Sequence, residues 1–197
     1  KYNLYEARTN RQNTLLTFGG PYSNHIYATA AAAKLFHFRA IGIIRGEEPV
    51  VKSSTLRFAA SQGMELYYMD REMYRQKDEP DNIESLRVQI GDFYYLPEGG
   101  TNLLALEGVS EIIDELNIDY DFMCTACGTS GTLAGLVAGL KGEKRVIGFS
   151  SLKGKDTLTE KINRLAFDFT GHRFSNFSIN FDYHFDGYAK VNDELIQ

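Results

Sequence analysis

Along the first half of the chain, apolar positions gather into short β-rich runs that alternate with stretches of helical spacing. The run TLLTFGG (14–20) closes on two glycines and passes into an Ala-rich helical stretch, from Ser23 to about Phe36, built on ATAAAAK. RAIGIIRG (39–46) is predicted as a buried strand, STLRFAASQG (54–63) as a helix with a glycine stop, and MELYYM (64–69) as the next strand. A polar stretch (70–91) carries helical pieces broken at Pro80 and leads into the apolar strand DFYYLPEGG (92–100). Then the cycle resumes: TNLLALEGVSEIIDEL (101–116) is an amphipathic helix, DYDFMCTA (119–126) a strand, and CGTSGT (127–132) a loop. LAGLVAGL (133–140) is a helix of small residues, and KRVIGFSS (144–151) a strand. From Leu152 the periods blur: DTLTEKINRLAF reads as a helix, FSNFSINFDYHF as a loosely alternating aromatic strand, and a last helix follows Gly187. Strands that alternate with helices imply crossover connections, so the class is α/β with mainly parallel sheets.

Two strand–helix series flank the polar stretch, which places a domain boundary near Gly99–Gly100. Leu4 and Ala7 already fall on a helical stripe, and YAKVNDELIQ reads as a helix cut short, so the expectation is a chain truncated at both ends.

Composition narrows the function. With 197 residues, 43% hydrophobic and 24% charged, the chain can bury a sizeable core. A net charge of −5 and a pI near 5.4 leave no basic surplus for a phosphate backbone, which argues against a nucleic-acid partner. No apolar run approaches the roughly 20 residues that span a bilayer, and KYNLYEARTN has no apolar signal core, so a cytoplasmic setting is expected. The two cysteines, Cys124 and Cys127, end an apolar run and lack a second ligand pair for zinc; they read as buried, inert thiols, and no metal site is expected.

In α/β sheets, ligands sit beyond the carboxyl ends of the strands. Three strand-to-helix loops occupy such positions: GGPYSNH (19–25), PEGGTN (97–102) and CGTSGT (127–132). In the last, Gly128 and Gly131 let the backbone turn tightly, Thr129, Ser130 and Thr132 add hydroxyls, and the following helix turns free N–H groups and a positive dipole end toward an anion. It is neither a Walker loop, because no Lys follows, nor GxGxxG, because the glycines fall at 128, 131 and 135. Such a turn can also serve simply as a helix cap. Ser23 is a good N-cap by itself, whereas Asn24 and His25 directly after it, on an Ala-rich helix, point to a ligand. His37, His172 and His184 read as surface or satisfied histidines.

LLTFGGPYSNHIYATAAAAKLF resembles the GG-x-x-SN-[QH] segment of the 1-aminocyclopropane-1-carboxylate deaminase and D-cysteine desulfhydrase family. YYLPEGGTN is similar to that family's P-x-GG-[ST]-N loop, and CGTSGTLAGLVAGL to its phosphate loop, all three in the family's order and spacing across essentially the whole chain. The resemblance implies the pyridoxal-phosphate fold type II, tryptophan-synthase-β-like, with residues 10–98 as the smaller domain and 1–9 with 99–197 as part of the cofactor-binding one. It implies a lyase or deaminase acting on a small amino acid, with pyridoxal 5′-phosphate as cofactor and a homodimeric assembly. By the same resemblance Asn24 would donate to the cofactor's 3′ oxygen, and Gly128, Thr129, Ser130, Gly131 and Thr132 would hold its phosphate. Ser23 and His25 would meet the substrate carboxylate, with Ser23 able to relay a proton, and Thr101 and Asn102 would line the same cleft.

One departure stands beside this match. The family's Schiff-base lysine lies in a G-N-K motif upstream of the helix that KYNLYEA resembles, and no such motif occurs here; neither Lys34 nor Lys153 is assigned to replace it. The 197 residues by themselves are therefore expected to be inactive. Two other classes compete. A non-catalytic relative or small-ligand binding module would also lack the lysine. A nucleotide-dependent oxidoreductase would need different glycine spacing and an acidic residue ending the strand GFSS.

Overall fold

The computed structural model describes residues 1–152, 157–185, 187 and 190–196, apart from the side chains of 194 and 195. Contacts divide the chain into two compact units, one of Asn3–Gly100 and one of Lys1–Tyr2 with Thr101–Gln197.

The first unit begins with α1 (Tyr2–Thr9) and then alternates strand and helix: β1 (Thr14–Gly19), α2 (Asn24–Leu35), β2 (Arg39–Arg45), α3 (Ser54–Ser61) and β3 (Glu65–Met69). Two helices, α4 (Arg71–Arg75) and α5 (Pro80–Ile90), precede β4 (Tyr94–Leu96). The strands form one parallel sheet in the order β3-β2-β1-β4. Successive side chains of a strand point to opposite faces. Thus Leu15, Ala40 and Ile44 pack under α2 and α3, while Leu16, Phe18, Ile41 and Ile43 pack against Tyr74 of α4 and Ile83, Leu86 and Ile90 of α5. Helices on both faces explain why β1 and β2 read as continuous apolar runs rather than alternating ones. Pro80 opens α5 instead of breaking it, since the first turn of a helix needs no N–H there.

Residues 3–9 were expected to pack with residues 99–197; they fall in the first unit, because Ala7 is fully buried in its core with Leu4 packed against it. The expected strand 92–100 is also shorter. It pairs only over Tyr94–Leu96, and Glu98–Gly100 forms one turn of 3-10 helix kinked at Gly99, where φ is 70°.

The second unit contains α6 (Leu103–Ser110), α7 (Ile112–Glu115), β5 (Phe122–Cys127), α8 (Gly131–Gly139), β6 (Arg145–Ser150), α9 (Thr157–Thr170), β7 (Phe177–Asn180) and α10 (Asp193–Ile196). The helix predicted over 101–116 is divided at Glu111, whose carboxylate takes hydrogen bonds from Lys1 and Tyr2. The aromatic strand predicted across 174–185 pairs only over β7, and Lys153 lies outside the described residues. The sheet is parallel, in the order β5-β6-β7, and one face packs Cys127, Val146, Phe177 and Ile179 against α6, α8 and α9. On the other face of β5, Phe122, Cys124 and Ala126 are exposed. Cys124 is thus not the buried thiol expected from its apolar run; only Cys127 is.

Candidate functional site

β5 delivers the chain to its carboxyl end at Cys127, and α8 starts at Gly131. Between them Ser130 is the N-cap, held at φ 81° in the left-handed region, which a side chain avoids unless its surroundings impose it. Ser130 is buried, and beyond the pull of its hydroxyl on the Cys127 thiol, a weak partner outside hydrogen-bond geometry, that hydroxyl is unsatisfied among the described residues; no side chain caps the helix. The first N–H groups of a helix have no intrahelical acceptor and carry its positive dipole end. A cavity of about 40 Å³ lies there, lined by Ala126–Ser130, Thr132 and Leu133.

Close approach explains Gly131. A Cβ on it would lie 2.8 Å from Thr101 Oγ1, and that hydroxyl donates to Thr129 Oγ1 at 2.8 Å. Thr101, Thr129, Ser130 and Gly131 thus gather at the head of α8, with Gly128 half-buried beside Ser151 and Thr132 exposed in the helix's first turn. Asn102, expected to line the cleft with Thr101, also caps α6, its side chain accepting from Ala105 N at 2.9 Å. Burial pushes the Cys127 thiol above its ordinary pKa, which makes it a poor nucleophile.

In the first unit, the loop after β1 carries the polar trio. Gly19 is required where it stands, because a Cβ there would strike Ile26 and come 2.9 Å from Ser23 Oγ. Ser23 caps α2, its hydroxyl accepting from Ile26 N at 3.3 Å, and Asn24 is exposed with its side chain outside any hydrogen bond of the described residues. His25 is half-buried: its Nε2 lies 2.7 Å from Thr17 Oγ1, and Thr17 donates to the Leu96 carbonyl at 2.9 Å. Burial lowers the His25 pKa to about 4, against an opposing pull from the Glu98 carboxylate. Gly100 lies against the ring, since a Cβ there would come within 3.2 Å of Cε1.

The turn holding Gly100 is itself tied down. Glu98 accepts from Tyr74 OH at 2.9 Å and pairs with Lys77 at 3.2 Å, while Lys77 also reaches Asp78 at 3.0 Å and Asp78 accepts from Tyr95 OH. The sequence reading passed over Thr17, Glu98, Tyr74 and Lys77. Thr17 had a visible signal, a polar residue in the middle of an otherwise apolar strand. Tyr74 and Lys77 sit in the polar stretch 70–91, and Glu98 lies in a loop whose glycines, Thr101 and Asn102 carry the ligand signal. Among the described residues no group of three or more His, Cys, Asp or Glu side chains could hold a metal ion, and no helix is long and apolar enough to cross a membrane.

No family model matches the chain. It is 31% identical over 212 residues to a Thermotoga maritima protein provisionally named 1-aminocyclopropane-1-carboxylate deaminase, covering 100% of this chain and 68% of that one. The mitochondrial bifunctional D-cysteine desulfhydrase/1-aminocyclopropane-1-carboxylate deaminase of Arabidopsis thaliana is 27% identical over 155 residues, 69% of this chain and 38% of the plant protein. Among solved structures, an ACC deaminase homologue superposes with a TM-score of 0.79 at 26% identity, over 96% of this chain and 62% of that one. Parallel sheets with helical crossovers and a Gly/Thr turn opening α8 thus define an α/β enzyme fold of type II. Within that class, the chain belongs to the 1-aminocyclopropane-1-carboxylate deaminase and D-cysteine desulfhydrase family, and it spans 68% of the Thermotoga relative and 62% of the solved homologue.

Proposed function

We propose that this chain forms most of a pyridoxal-phosphate-dependent lyase or deaminase that acts on a small amino acid, D-cysteine or 1-aminocyclopropane-1-carboxylate. The observation that carries the reading is the uncapped head of α8, where the buried Ser130 hydroxyl is unsatisfied among the described residues. These are the features a phosphate satisfies: its oxygens accept from helix N–H groups and hydroxyls, and its charge suits the dipole. The residues present therefore fit the cofactor's phosphate, with Ser130 and the backbone of Gly128, Gly131 and Thr132 as donors and Thr129 oriented by Thr101.

Pyridoxal phosphate, when bound, supplies the electron sink for carbanion chemistry at the α carbon or for opening of the cyclopropane ring. The chain's own residues anchor and orient. Asn24, exposed at the start of α2, has free donors for the cofactor's 3′ oxygen. Ser23 keeps its hydroxyl proton while its oxygen accepts from Ile26 N, so it can donate to a substrate carboxylate or pass a proton. His25 binds substrate from a fixed, neutral ring. Thr101 and Asn102 line the substrate cleft, Asn102 while capping α6.

No lysine of the 197 residues is assigned the covalent role. Lys34 is exposed in the last turn of α2, at the opposite end of the helix from Ser23 and Asn24. A homodimeric assembly is proposed from the family resemblance.

The experiment has two arms. Incubating the chain with pyridoxal 5′-phosphate, reducing with borohydride and mapping by mass spectrometry should give no stoichiometric adduct; a single modified lysine would overturn the lysine assignment. A protein extended to the length of the relatives should release pyruvate from D-cysteine or 2-oxobutyrate from 1-aminocyclopropane-1-carboxylate. Release of neither, with cofactor bound, overturns the reaction class.

A further inference from the structure

Thr17 is fully buried, and its hydroxyl has two polar neighbours, the Leu96 carbonyl at 2.9 Å and His25 Nε2 at 2.7 Å. A hydroxyl carries one proton, and a carbonyl can only accept. Were that proton given to Nε2, the Thr17 and Leu96 oxygens would face each other with no hydrogen between them, an unfavourable pair away from water. The arrangement without conflict sends the Thr17 proton to Leu96 and has Nε2–H donate to Thr17 Oγ1. A neutral imidazole carries one N–H, so Nδ1 is then left with a lone pair. Nδ1 makes no hydrogen bond among the described residues. It lies on the ring edge beside Gly100, where a Cβ would come to 3.3 Å.

We propose that Thr17 is a positioning residue that fixes His25 as its Nε2–H tautomer, so that the ring offers Nδ1 as an acceptor to an amino or thiol group of the substrate and cannot donate to its carboxylate. The substrate clause rests on the reading of His25 as a substrate-binding residue. The tautomer clause does not. Burial supports a neutral ring near pH 7, where the other charged group acting on it, Glu98, is too weak to restore the proton. On this assignment the carboxylate is left to Ser23, and the expectation that His25 meets it gives way.

Two-bond proton–nitrogen correlation spectra of the 15N-labelled chain at pH 7 read the tautomer directly, with the His25 ring identified by loss of its signals in His25→Gln. The expected result is the Nε2–H pattern in the unsubstituted chain and in Thr17→Ser, which keeps the hydroxyl. Thr17→Val should lower the ratio of Nε2–H to Nδ1–H by about tenfold, the worth of one ordinary hydrogen bond. An Nδ1–H or charged ring in the unsubstituted chain overturns the proposal, as does an unchanged ratio in Thr17→Val. If Thr17→Val does not fold, the other two spectra decide. No cofactor or turnover enters this readout, so the tautomer can be found while the lyase assay fails, and the reverse.

Discussion

Ser130 combines two unfavourable features, a left-handed backbone with a side chain and a buried hydroxyl left unsatisfied among the described residues. Strain of this kind persists where a function maintains it. Ser130→Gly is expected to raise unfolding stability by about 1 kcal/mol, because glycine adopts that backbone freely, while weakening phosphate binding severalfold through loss of the hydroxyl. Denaturant midpoints and a phosphate titration followed by amide shifts check both signs. His25 makes a prediction in pH. In the unfolded chain its pKa is near 6.5 and in the fold about 4, so between those values the unfolded state binds more protons. Stability contributed by the neutral ring is complete above about pH 6.5 and falls as pH drops toward 4, by on the order of 3 kcal/mol. Urea unfolding at pH 7 and 4.5 should show this fall, and His25→Gln should remove most of it.

Among elements, α8 is fixed by how closely its first turn approaches Thr101. Gly131→Ala would force Thr101 off its bond to Thr129 or displace the helix, at a cost of about 1–3 kcal/mol, readable as a lower thermal midpoint. The strands β1, β2 and β3 and the helices α2 and α3 were legible to within two residues, because a parallel sheet covered on both faces writes continuous apolar runs. Less legible were elements whose form depends on partners far along the chain. Glu98–Gly100 continues the apolar run of β4 in sequence, yet its conformation follows from Tyr74, Lys77 and two glycines at positive φ. The helix after Asn102 is interrupted at a residue engaged by the chain's first two side chains, a pairing no local pattern records. Of the candidate site, the loops and their residue types could be read, because glycines, hydroxyls and helix starts are local signals; the constraint on His25 could not, because Thr17 and Leu96 reach it through sheet pairing.

At the scale of the whole molecule, each unit has a core of its own, Leu16, Phe18 and Ile41 in one and Leu106, Leu133 and Val137 in the other. Leu16→Ala removes fully buried atoms and should cost about 2–5 kcal/mol. Hydrogen exchange is expected to lose more protection in β1, β2 and β4 than in β5 and β6, and the Leu133→Ala variant should reverse that order.

The two faces of β5 also give the native state a chemical signature. Cys124 and Cys127 are separated by an odd number of positions on a strand, so one thiol meets reagent while the other is shielded and held protonated by its surroundings. A disulfide dye should therefore count one fast sulfhydryl per folded chain and a second only as the sheet opens, at a rate that times the opening of the second core.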